Sequence, residues 1–223
     1  MLRRNNRAGK SLRLHAKQLR MKALNKYSAA GGSILLPLLL YAVAPFDLPF
    51  LVAALVVGAV IAFMLIEKGQ ELWRSSKNFD QGADGEEKTQ KVLQVLIRDG
   101  WKAEYNVQLP PVGDVDVWLR SPKGINFILN VKSHSTEVVW DGDVLKRRYY
   151  AKLRDFEKDF LAQIAKEATA LKKAKNLTNV IPVVVFSDAT VSISHEKKIK
   201  GAYVIGLGDL VSKLREIDRS WRK

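Results

Sequence analysis

The sequence predicts a mixed α/β domain preceded by a transmembrane α-helical hairpin. Three observations predict it. Between Tyr27 and Ile66 the only charged residue is Asp47. After residue 80, short apolar or alternating runs interleave with helical periodicities. The chain has 223 residues, 47% of them hydrophobic and 27% charged, which suits one sizeable domain plus a smaller element and argues against wholesale disorder.

Residues 1–26 form a basic arm with nine Lys/Arg and no acid. Its leucines, interleaved with the bases, also permit an amphipathic helix on a membrane surface. Residues 27–66 form the hairpin. Asp47 divides them into Tyr27–Phe46, 20 residues, and Leu48–Ile66, 19 residues. Each span reaches roughly 28–30 Å, about the thickness of a bilayer hydrocarbon core. Pro45 and Pro49 around Asp47 predict a tight turn rather than a continuous helix. A signal peptide cut after Ala44 is disfavoured, because Pro45 would follow the cut and a second apolar span comes next.

The nine bases precede the first span, and Lys68, Arg74 and Lys77 follow the second. Positive flanks stay in the cytoplasm. The expectation is a two-pass protein of a bacterial-type inner (cell) membrane with both termini cytoplasmic. Residues 67–79 read as a helical linker, and residues 80–223 as the α/β domain.

Within that domain Gly85–Asp99 has helical periodicity, with Asp84 as N-cap and Glu87 as the third helical residue. Glu86 is then free to face the sheet. Trp101–Leu109, Asp114–Arg120 and Ile125–Lys132 read as strands, with a turn at Ser121–Gly124. Thr136–Ala151 reads as a hairpin around Trp140–Asp143. Leu153–Lys175 reads as a long helix with Phe156, Phe160, Ile164, Ala168 and Leu171 on one face. Val180–Phe186 is apolar throughout and reads as a central strand. Ala202–Ile205 and Leu210–Trp221 close the chain as a strand and a helix.

The chain has no cysteine, which excludes a disulfide scaffold, a zinc finger and a thiol nucleophile. Lys+Arg 37 against Asp+Glu 23 gives a net charge of +14 and favours an anionic partner. His15, His134 and His195 lack metal-ligand spacing, and no phosphate loop is present. Strand alternation and the short turn bring Asp116 and Lys132 to one side of antiparallel neighbours. Such a pair alone is compatible with an edge salt bridge. Lys146, Arg147 and Arg148 beside Tyr149 and Tyr150 suit a nucleic-acid backbone with stacked bases, or a solvated hairpin.

Five motifs in order resemble the nuclease-related domain, a branch of the PD-(D/E)xK nuclease superfamily. Gly82, Gly85 and Glu86 match its Gly-x-x-Gly-Glu helix start. Val115-Asp116-Val117 matches its Ile-Asp-hydrophobic strand, and Pro122-Lys123-Gly124-Ile125 its Pro-x-Gly-hydrophobic turn. Asn130-Val131-Lys132 stands where the family has Glu-x-Lys, and Gln163 matches a glutamine on a later helix. The resemblance covers roughly residues 80–190 and implies a restriction-endonuclease-like mixed sheet flanked by helices. It further implies hydrolysis of phosphodiester bonds with Mg²⁺ or Mn²⁺. The implied metal site is Asp116, Asn130, the Val131 carbonyl and Glu86; the implied catalytic set is Lys132, Asp116, Glu86 and Gln163. Nucleic acid, DNA rather than RNA, and the membrane are the expected partners, with self-association left open.

Asn130 departs from the pattern, since it offers a neutral oxygen where the family has an acid. Glu86 could supply the missing charge. So could Glu167, one turn beyond Gln163 on the same face, because some superfamily enzymes carry the acid on that helix. A catalytically impaired domain that only binds nucleic acid or serves as a membrane scaffold is the alternative.

Overall fold

The structure is a computed structural model and describes residues 8–44, 46–194 and 196–221. Pro45 of the expected turn, His195 and the first three bases of the arm lie outside these residues. The chain divides into two units, one of residues 12–81, the other of residues 82–221 together with residues 8–11.

The first unit is a helical hairpin. Helix α1 spans Lys10–Val43 and helix α2 begins at Leu48 and ends at Arg98. From Lys10 onward the basic arm is continuous with the first apolar stretch in α1, which ends at Val43. Pro49 sits in the first turn of α2, where its missing N–H costs nothing. The helices meet through small residues at seven-residue spacing: Ala16, Ala23 and Ala30 are buried on α1, and Ala62, Gly69 and Ser76 on α2. Such residues let two backbones approach closely. A Cβ on Gly58 would lie 2.3 Å from the Ser33 carbonyl oxygen, and one on Gly69 2.5 Å from the Tyr27 ring. Pro37, inside α1, has no N–H to donate to that same Ser33 carbonyl. At the far end Arg13 and Arg20 both pair with Asp80, and His15 packs on Phe79.

The second unit is a three-layer α/β/α domain. Its sheet has the order β1-β2-β3-β7-β8, with β1 Lys102–Leu109, β2 Gly113–Arg120, β3 Asn126–Lys132, β7 Ile181–Phe186 and β8 Tyr203–Gly206. β1, β2 and β3 are antiparallel; β7 and β8 continue parallel to β3. One face packs Leu93 and Leu96 of α2, with Leu210 and Leu214 of α4 (Leu210–Ser220), on Leu119, Phe127 and Leu129. The other packs Leu161, Ile164 and Leu171 of α3 (Phe160–Ala174) on Ile128, Val184 and Phe186. The mixed α/β class read from the sequence is the one observed.

Three local expectations are corrected. α2 runs without interruption through Gly82–Glu87, so Asp84 is an interior residue and not an N-cap. Gly85 serves space instead: a Cβ there would lie 2.7 Å from Ser187 Oγ and 3.0 Å from Ser133 Cβ. Residues 152–155 form a further strand, β6, which joins β4 (Glu137–Trp140) and β5 (Leu145–Tyr149) in a separate three-stranded sheet. Helix α3 therefore spans only Phe160–Ala174. It begins where Asp159 caps it, accepting the N–H groups of Leu161 and Ala162 at 3.0 Å each.

Gly85→Ala should lower stability by about 1–3 kcal/mol through overpacking at the ends of β3 and β7. Thermal unfolding measures it, and partial recovery in Gly85→Ala with Ser187→Gly would locate the strain. An unchanged midpoint in the single variant would mean that the close approach constrains nothing.

Candidate active site

The site forms where β2 and β3 part. Their pairing stops at Val117↔Leu129. One step further Asp116 reaches across the fork, and its Oδ2 accepts the backbone N–H of Val131 at 2.6 Å. On its other side the β1–β2 ladder keeps its register but lacks the rung between Asn106 and Asp116. Tyr105 pairs with Val117 and Val107 with Val115, while Asn106 between them adopts φ +52°. A left-handed φ outside glycine marks a locally constrained backbone. Nothing in the sequence signals Asn106.

Asn130, on central strand β3, is buried and points to α3. Its Nδ2 donates to Glu167 at 3.0 and 3.2 Å. Glu167, equally buried, also accepts from Gln163 Nε2 at 2.7 Å. The Asn130 Oδ1 is buried and has no hydrogen-bond partner among the described residues. Buried polar atoms are rarely left so, and each exception needs a reason.

Lys132 lies two residues along β3, with its Nζ 4.7 Å from the Phe160 ring centroid. Burial lowers its pKa, opposed by Asp116, Glu167 and Glu86. Glu86 comes from α2, where it is buried, and its Oε2 accepts the Gly9 N–H at 2.8 Å. Gly9 has φ +72°, and a Cβ there would lie 2.9 Å from the Ala83 carbonyl oxygen. Neither the charge of the arm nor its leucine spacing announces this seat for Gly9.

The acids are held away from their usual ionisation. Burial, with the Asp116 charge adding, pushes Glu86 up to about 7. Burial pushes Asp116 up to about 6, although Lys132 and the Val131 N–H oppose it. Among the described residues no three His, Cys, Asp or Glu side chains form a ready-made metal cluster. The donors in the fork are of mixed type: carboxylates, an amide oxygen and a backbone carbonyl. An orphaned buried oxygen among desolvated acids fits a hard cation, which takes oxygen ligands of all three kinds.

Of the residues named from sequence, Glu86, Asp116, Asn130, Val131 and Lys132 are brought together, and Gln163 joins them through Glu167. The basic cluster is not one unit. Lys146 pairs with Asp141 at 2.9 Å and Asp155 at 3.5 Å, and Arg148 with Glu137 at 3.0 Å. Arg147 instead lies 5.9 Å over the Phe156 ring. His134 packs among Phe156, Phe160 and Phe186.

A mixed sheet whose central strands fork over an aspartate and a lysine defines an α/β domain of nuclease-like class. Residues 81–187, just under half of the chain, match the nuclease-related domain family, NERD. No curated protein and no solved structure matches the chain.

In chelator, these two acids should make the domain less stable as pH rises. Their raised values mean that the folded state keeps protons which the unfolded chain loses near pH 4. The stabilising contribution is complete below about pH 4 and is lost as pH passes through about 6 and about 7. Thermal unfolding between about pH 5 and 8 should record a loss on the order of 1–3 kcal/mol. Glu86→Gln and Asp116→Asn should each flatten the profile; a wild-type profile already flat would contradict the burial of both acids.

Proposed function

We propose that this protein is a metal-dependent nuclease held at a membrane by its N-terminal hairpin. The observation that carries the reading is the Asn130 amide oxygen, buried and without a partner among the described residues, on the strand that carries Lys132 and in a side chain that touches Glu167. Asp116, Asn130 Oδ1, the Val131 carbonyl and Glu86 would hold Mg²⁺ or Mn²⁺, which supplies Lewis acidity and a water of lowered pKa.

The chain's own residues then divide the work. Lys132 is desolvated and flanked by acids, so its ammonium is suited to placing a water and to meeting charge that builds on phosphoryl oxygens. Glu167 engages the Asn130 amide nitrogen and thereby leaves the amide oxygen free. Gln163 fixes Glu167 from one turn earlier. The acid absent from position 130 is thus present on α3, in contact with that position. No covalent intermediate on the protein is required.

Membrane attachment is supported by the hairpin surface. Large apolar side chains point outward, with Leu39 and Phe63 each 63% exposed. Both helices are long and apolar enough to cross a bilayer. The flanking bases support a two-pass topology with cytoplasmic ends.

Cleavage of plasmid DNA and of RNA by the full chain with Mg²⁺ or Mn²⁺ tests the reading. Lys132→Ala should abolish it, and robust activity in that variant would overturn the assignment. Glu167→Gln should lower the rate by about 100-fold or more. Asn130→Glu alone would set two carboxylates in contact and should also impair. Combined with Glu167→Gln, it restores one acid and should recover at least about tenfold over Glu167→Gln, a coupling within the usual range for touching residues.

The topology has its own test. The chain has no native cysteine, so Asp47→Cys and Lys77→Cys give unique labels. In intact cells an impermeant reagent should reach position 47 and not position 77. The reverse pattern would invert the hairpin.

A further inference from the structure

The three-stranded sheet separates its charges by face. Strand alternation and the pairing Arg147↔Arg154 and Tyr149↔Lys152 put these four residues on one side. Lys146, Arg148, Glu137 and Asp155 fall on the other, where the two bases are ion-paired with Asp141, Asp155 and Glu137. The inner end of the first face is buried with Val138 and Leu145, and its outer end carries no such compensation among the described residues. Lys152 and Arg154 are exposed and have no ion pair among the described residues. The Arg147 Nε is buried with no hydrogen-bond partner among the described residues.

That cationic face is continuous with the candidate site. Arg147 covers Phe156, Phe156 packs on His134 and Phe160, and Phe160 lies under the Lys132 ammonium. At its outer end stands an aromatic pair. Tyr149 and Tyr150 meet edge to face at 4.9 Å and are 53% and 86% exposed. Tyr150 occupies the turn with φ +53°, a conformation that a bulky side chain seldom adopts. A glycine or asparagine would hold that turn with less strain, so the aromatic ring is not there for the turn.

We propose that this face is a track for single-stranded nucleic acid leading to the site. Tyr149 and Tyr150 stack on unpaired bases, and Arg147, Lys152 and Arg154 meet phosphates. A ring accepts a base of any identity, while free cations follow the backbone, so the track is tolerant of sequence. Duplex DNA, whose bases are already stacked, gains nothing from the tyrosines. This inference rests on the reading of the site as one that acts on nucleic acid.

The test is binding of a fluorescent oligothymidylate, and of a duplex of equal length, to the full chain in lipid nanodiscs with chelator present. Tyr149→Ala with Tyr150→Ala should weaken single-strand binding by about tenfold or more and spare the duplex. The double Tyr→Phe variant, which keeps both rings, should retain wild-type affinity. Lys152→Ala with Arg154→Ala should lower the salt slope by about 1.4, at roughly 0.7 per lost phosphate contact on a single strand. Unchanged affinity and slope in these variants overturns the track, as does equal loss on the duplex. A spin label on Tyr150→Cys that is relaxed by a lipid-phase agent, with oligonucleotide affinity unaltered, overturns it in favour of a membrane-surface contact. If wild type cleaves nucleic acid while the tip variants bind it normally, the track alone fails. If the tip variants lose binding and wild type never cleaves with any metal, the track stands and the nuclease reading fails. A wild type that binds no nucleic acid removes both.

Discussion

Asp116 accepts the backbone N–H of Val131 in the place where a strand carbonyl would otherwise stand. Two strands cannot separate inside a buried sheet without leaving backbone donors in need of partners. Here a side chain meets the need, and the ladder opens without an orphaned N–H at Val131. The consequences spread outward. Asn130, which strand alternation points to α3 together with Ile128, engages Glu167 there. Lys132, at the end of the strand, lies beside the carboxylate that closes the fork. A serine or threonine at 116 could accept the same N–H, but would bring no charge to balance Lys132.

The charges at the fork do not match. Glu86, Asp116 and Glu167 arrive from a helix, a strand and another helix, and the half-buried Lys132 ammonium faces them. Desolvation raises Glu86 and Asp116 even against that ammonium. An ion pair kept for stability alone gains nothing from a surplus of buried acids, because each added carboxylate costs solvation that one lysine cannot return. The surplus is coherent if the cluster is completed by positive charge from outside the chain. The unpartnered Asn130 oxygen points the same way, since a cation and a neutral oxygen donor satisfy each other.

Much of the fork is legible in the sequence because strands obey a period of two. Alternation alone puts Asp116 and Lys132 on one side of the sheet, and the position after a glycine puts Glu86 toward it. Glu167 is legible only as one of two substitutes for an acid at 130, since helical spacing from Gln163 gives a face and not a distance. Apolar spacing misplaces the start of α3 for a physical reason. Phe156, Phe160 and Ile164 keep a four-residue spacing across the true boundary, although Phe156 precedes the helix and packs on His134. Asp159, with two N–H groups on its carboxylate, is the signal that outranks such a pattern. In α2 the opposite holds. Gly82 and Gly85 look like punctuation, yet Gly85 is small because Ser133 and Ser187 stand against it. The seat of Gly9 and the kink at Asn106 depend on partners far away in sequence, and no local pattern announces them.

The helical hairpin inverts the usual arrangement of a water-soluble pair. Between its helices stand Ala16, Ala23 and Ala30 against small residues of α2, including Gly58, Gly69 and Ser76. Outward stand Leu35, Leu36, Leu39, Val56, Val60 and Phe63. In water this would bury little apolar surface between the helices while leaving the largest side chains wet, at about 25 cal/mol for each Å² left exposed. In lipid the logic changes. Leucine gains nothing by leaving acyl chains for another helix, so close backbone packing through small residues becomes the means of association. The pattern continues beyond the apolar segments, through Ala16 on one helix and Ser76 on the other, where Arg13 and Arg20 meet Asp80. Charged residues take the place of apolar ones at that end. A hairpin of this kind is apolar outside for one part of its length and ionic for the rest, and that division supports a membrane boundary across it.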